Sequence, residues 1–180
     1  MNFLRALLAG LLTTTVSAKA ADSTPSQKSS AEMMKSLRQQ WLVTPPKEGT
    51  FKDKNEVVAV LMDWPVGENT ITVLSSSIGD ASLYTTSSFG IIGGIGHAKV
   101  REAAIAFVKG SQIYADKAQP VSEFPYPDKN SLQFYFITPS GVKRLSFPLT
   151  EIERENSDAR ILYTLGQQVI TELRLISPNP

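Results

Sequence analysis

The sequence predicts an α+β fold. The expected domain has two layers: an antiparallel sheet of about five strands packed by two main helices, in the order α-βββ-α-ββ-α. Three observations predict it. Two long segments, 97–117 and 158–175, repeat apolar residues at helical spacing. Five short runs are rich in β-branched and aromatic residues. The links between neighbouring runs carry turn residues, which suits hairpins and a meander.

Each element has its own signal. From Ser30 to Val43, the residues Met33, Leu37 and Trp41 lie four apart and share one helical face. Ser30 is placed to cap that helix, and Pro45-Pro46 ends it. Val57 to Met62 is an unbroken apolar run, read as a strand buried on both faces. Pro65 to Asn69 is turn chemistry. Thr70–Ser75 and Ala81–Thr86 follow as strands joined through Gly79-Asp80, completing a meander.

Phe89 to Gly96 is glycine-rich and leads into the helix from His97 to Lys117. Val100, Ala104, Phe107 and Val108 form its apolar face, with Lys99, Glu102 and Lys109 outward. Pro120, Pro125 and Pro127 mark 119–130 as an extended loop, and 132–138 and 142–149 form a hairpin around Pro139-Ser140-Gly141. In the last helix Leu162, Leu165, Val169, Leu173 and Ile176 share a side, and Pro178 stops it. Gly166 lies mid-helix, where glycine costs about 1 kcal/mol relative to alanine, so it is expected to face a close neighbour. This order of elements is similar to that of type III secretion chaperones and related small binding proteins, a resemblance of element order alone.

Residues 1–20 have the parts of a secretory signal peptide: a positive start at Arg5, an apolar run from Ala6 to Leu12, and the small residues of Ala18-Lys19-Ala20. Cleavage is expected after Ala20, with 21–29 as a flexible linker and 30–180 as a single domain. The apolar run falls short of the roughly 20 residues that span a bilayer. The expected product is therefore a periplasmic or secreted bacterial protein with no stable membrane anchor.

The whole chain carries 18 Lys+Arg and 17 Asp+Glu. Loss of Arg5 and Lys19 with the signal leaves a near-neutral domain, without the basic surplus of a nucleic-acid binder. There is no cysteine, which excludes thiol catalysis, disulfides and zinc–cysteine sites, and one histidine excludes multi-histidine metal sites. No cofactor or metal is expected.

The stretch Ser82-Leu83-Tyr84-Thr85-Thr86-Ser87-Ser88-Phe89-Gly90-Ile91-Ile92-Gly93-Gly94-Ile95-Gly96-His97 is the most unusual. With Met62-Asp63-Trp64-Pro65 and Glu172-Leu173-Arg174, it resembles hypothetical bacterial proteins over roughly 57–176, a resemblance that implies no activity. The spacing completes neither a dinucleotide fingerprint, since position 99 is Lys, nor a P-loop. Gly93, Gly94, Gly96, His97 and Lys99 are the candidate ligand-binding residues, because backbone N–H groups at a helix start hold anions. The competing reading is that the glycines serve tight packing of helix on sheet.

His97 with Ser87 or Ser88, and Asp63 as orienter, has the residue types of a nucleophilic site but no diagnostic spacing. Asp63 and Trp64 also suit structural roles at a strand end. Phe134 and Phe136 should share one face and Tyr135 the other. Phe124 and Tyr126, between prolines, either pack over the sheet edge or offer a recognition surface.

The leading expectation is an exported, non-enzymatic binding or interaction module. Its partner would be a protein or a small anionic ligand rather than nucleic acid, and a homo-oligomer is compatible with exposed strand edges. The alternative is a small hydrolase or transferase using His97 with Ser87 or Ser88 and Asp63. The export reading predicts that amino-terminal sequencing of the exported protein begins at Ala21; a first residue of Met1 would contradict it.

Overall fold

A computed structural model describes residues 29–43, 51 and 53–177. The expected signal, most of the linker, Pro45-Pro46 and Pro178 lie outside the described residues. The elements are α1 (Ser30–Val43), β1 (Ala59–Val66), β2 (Asn69–Ser76), β3 (Ala81–Thr85), β4 (Gly90–Ile91), α2 (Ala98–Ala115), β5 (Gln119–Val121), β6 (Ser131–Thr138), β7 (Gly141–Pro148) and α3 (Asp158–Ile176), with short 3₁₀ turns at Gly94–Gly96 and Leu149–Ile152. The α+β class stands. The seven strands form one antiparallel sheet in the order β4-β3-β2-β1-β6-β7-β5. The two strands beyond the expected five, β4 and β5, are edge strands of 2 and 3 residues. They fall in the glycine-rich and proline-rich segments, where strand periodicity has no room to show.

Alternation along β1 gives each face its own core. Val60 and Met62 point to one face, where Val73, Leu83, Phe134 and Phe136 meet Val100, Ala104 and Phe107 of α2 and Leu162, Val169 and Leu173 of α3. Ala59 and Leu61 point to the other, where Leu74, Tyr84, Tyr135 and Ile137 meet Met34 and Leu42 of α1. Besides the two main helices on one face, α1 therefore covers part of the second. The apolar run at 57–62 is buried on both faces, as its composition requires.

Gly166 lets α3 approach β1: a Cβ there would lie 2.6 Å from Met62 Cε and 2.7 Å from its sulfur. Gly67 takes φ 60° at the two-residue turn joining β1 to β2, a conformation that favours glycine.

Two expectations for α1 change. Its cap is Ser29: the Glu32 backbone N–H donates to Ser29 Oγ (3.3 Å), and the Glu32 carboxylate accepts from the Ser29 backbone N–H (2.8 Å), a reciprocal capping box. Its buried stripe is Met34, Arg38 and Leu42, flanked by half-buried Leu37 and Trp41, while Met33 is 49% exposed. The stripe is turned by one residue because a charged side chain sits at its centre.

That side chain is Arg38, 2% exposed. Its Nη2 lies 2.5 Å from Asp63 Oδ2, and its Nε lies 3.2 Å from both carboxylate oxygens. Asp63 is wholly buried and also accepts from Thr72 Oγ1 at 2.5 Å. Asp63 is in register with Thr72 on β2 and Gln133 on β6, so a polar row crosses the sheet beneath α1.

The 124–126 strap completes the network. Arg38 Nη1 donates to the Phe124 carbonyl (3.0 Å), and Tyr135 Oη and Gln133 Nε2 donate to the Pro125 carbonyl (2.7 and 2.9 Å). The Arg38 guanidinium lies 4.2 Å from the Tyr126 ring centroid, and Phe124 meets Tyr135 edge to face at 5.8 Å. Of the two readings for Phe124 and Tyr126, packing over the sheet is the one seen. Burial lowers the tendency of Arg38 to hold its proton, but hydrogen bonding and attraction to Asp63 outweigh it and raise the pKa. Burial also pushes the Tyr126 and Tyr135 phenols up.

A buried charge stripped of its partner is far more costly than a pair removed together. Arg38→Met alone is predicted to cost about 3–5 kcal/mol in urea unfolding. Adding Asp63→Leu and Thr72→Val should recover most of that loss. An Arg38→Met variant as stable as the parent would contradict the assignment.

Candidate functional site

The two sequence-predicted sites fall in different places. Asp63 faces the α1 side of the sheet, saturated by Arg38 and Thr72. His97 occupies the position before the first turn of α2, its side chain making no capping hydrogen bond, and α2 packs on the opposite side. Ser87 and Ser88 are exposed in the β3–β4 turn, where the Ser87 hydroxyl is 2.9 Å from Thr85 Oγ1. The structure thus separates Asp63 from His97 by the thickness of the sheet, and the Ser–His–Asp grouping is not assembled. Strand alternation is the physical reason: Asp63 shares a face with Ala59 and Leu61, and α2 covers the other.

The glycine-rich segment is mixed. Gly93 adopts φ 84°, and Gly96, His97 and Lys99 are exposed. Gly94 is buried, and a Cβ there would lie 2.5 Å from Val100 Cγ1, 2.9 Å from Leu173 Cδ2 and 3.1 Å from the Ala81 carbonyl oxygen. This glycine lets the start of α2 close on α3 and β3. Lys99 pairs with Glu102 one turn on, at 3.0 Å, and the hydrogen bond to Glu102 raises its pKa. That carboxylate supplies the negative charge a cation at a helix start calls for.

A groove lies beside this segment. Its floor is built by cross-strand register: Trp64 of β1 is opposite Ile71 of β2, which is opposite Thr85 of β3, and Leu83 is opposite Ile91 of β4. Its wall is one stripe of α3, Gln167, Ile170 and Arg174, spaced three and four apart. Phe89, 45% exposed, forms the lip. The volume is about 500 Å³, within the usual range for small-molecule sites. It stays open because β4, only 2 residues long, ends the sheet there. Trp64 is held from behind by Tyr163, edge to face at 5.3 Å.

Polar groups in the groove are few. Gln167 carries a side-chain nitrogen that is buried without a hydrogen-bond partner. Ser75 Oγ and Asp80 Oδ1 share that condition among the described residues but do not line the groove. Arg174 is exposed, and no ion pair holds its guanidinium among the described residues. A concavity of similar size, about 470 Å³, lies at Asn156 and Ile161, but its lining is exposed apart from half-buried Leu165.

Sequence reasoning missed the groove as a unit. Its signals were the 167/170/174 helical spacing and the Trp64–Ile71–Thr85 row, which only strand register brings together. Among the described residues no cluster of His, Asp or Glu could hold a metal ion, and no helix is long and apolar enough to cross a membrane. No family model, curated protein or solved structure matches the chain.

The packing role of Gly94 predicts that Gly94→Ala lowers stability by about 1–3 kcal/mol through overpacking. Thermal unfolding checks it, and an unchanged midpoint would contradict the packing role.

Proposed function

We propose that this protein is an exported, non-catalytic binding module whose ligand site is the groove between α3 and the β1–β4 end of the sheet. The observation that supports this reading best is the groove's construction. Apolar side chains from four strands and one helix converge on a concave volume that the described residues do not fill. Convergent apolar walls with a few polar groups are the usual make-up of a small-ligand site. Export rests on the signal-like residues 1–20 and is compatible with a domain that needs no disulfide: its core is large enough to stand alone.

The test is a titration with the neutral fluorophore N-phenyl-1-naphthylamine, which brightens in apolar surroundings. The parent protein should bind it with one-to-one stoichiometry. Ile91→Trp, which fills the groove from its edge strand, should abolish the signal. Met33→Ala, an exposed change on α1, should leave it intact. No binding by the parent, or equal binding by Ile91→Trp, would overturn the proposal.

A further inference from the structure

We infer that the groove is built for an amphipathic monocarboxylate, a small molecule with an apolar body and one anionic head; this rests on the binding-module reading above. Two independent features of the wall point to the head. The buried Gln167 side-chain nitrogen is a donor with no acceptor among the described residues, and a buried donor left unpaired carries a desolvation cost that a ligand acceptor removes. One helical turn beyond Ile170, Arg174 offers to the same groove a guanidinium with no ion-pair partner among the described residues, the side chain best matched to a carboxylate. No acidic side chain lines the groove, so nothing there repels an anion. The remainder of the lining sets the body. Ile71 and Leu83 present wholly apolar side chains, and Trp64 adds the broad apolar face of its indole. The head therefore sits against α3 and the tail over the strands.

The experiment uses the full exported chain carrying Trp41→Phe, which leaves Trp64 as its single tryptophan. Octanoate, octan-1-ol and octyltrimethylammonium, equal in apolar length, are titrated below their micelle concentrations, with Trp64 emission and calorimetry as readouts. Octanoate should bind about tenfold more tightly than octanol, the gain expected of a charge-assisted hydrogen bond. Arg174→Gln, at an exposed position, should erase that advantage, bringing the affinities for octanoate and octanol together. Gln167→Leu should weaken octanoate several-fold. Equal binding of octanoate and octanol, or preference for the cation, would overturn the head-group assignment and leave the groove standing. Failure of all three probes, together with the neutral fluorophore, would instead remove the groove reading itself. Tighter binding of a peptide with an apolar carboxy-terminal residue than of octanoate would also overturn the inference, by assigning the site to a protein partner.

Discussion

A charged carboxylate in a wholly buried strand position is the constraint on which the rest of the fold depends. Asp63 lies on β1, the strand that pairs with both β2 and β6, beneath a helix. Left there without a partner, it would be a buried charge too costly for the strand to carry. Arg38 meets it with two nitrogens, Thr72 donates to it, and the spare donors of Arg38 go to the Phe124 and Pro125 carbonyls. One ion pair therefore fixes three things at once: the rotation of α1 about its axis, its position on the sheet, and the path of the 124–126 strap. Such a pair adds little net stability over an apolar substitute. What it supplies here is a single arrangement, because rotating α1 about its axis would break the contact between Arg38 and Asp63.

This arrangement divides the labour of the two faces. Below α1 the sheet is sealed, and its polar atoms are spent on one another. On the other face, Gly166 lets α3 close on β1, Gly94 lets the start of α2 close on α3 and β3, and Gly110 lets α2 close on Leu165 of α3. Toward β4 the sheet runs out, and the row Trp64–Ile71–Thr85 is left under the last turns of α3. The proposed ligand site is thus a consequence of where the sheet stops, with α3 supplying the polar groups.

Much of the fold was legible in the sequence for physical reasons that particular residues make plain. The β-branched run 57–62, the hairpin around Ser140-Gly141 and the stripe from Leu162 to Leu173 each bury what their periodicity says they bury. Gly166 was legible as well, since a glycine in mid-helix calls for a close neighbour and Met62 is that neighbour. The α1 stripe was not, because a hydrophobic pattern has no place for Arg38, and its true phase depends on an acid 25 residues away. The same long-range pairing hid the partner of Asp63, for which the sequence suggested a structural role as well as a place beside His97. The glycine-rich loop drew attention by composition, whereas the groove next to it is written in strand register and helix phase, neither of which a linear pattern displays.

The claim that binding belongs to the groove at α3 and not to the Arg38–Asp63 face is tested most directly by mapping backbone amide shifts as N-phenyl-1-naphthylamine is added to isotope-labelled protein. Ring-current shifts should concentrate at Ile71, Thr85 and Ile91 and along α3 from Gln167 to Arg174, while Met34, Arg38 and Leu42 stay fixed. Shifts gathered instead along α1 and the 124–126 strap would contradict the account, since they would make the Arg38–Asp63 face the one that binds.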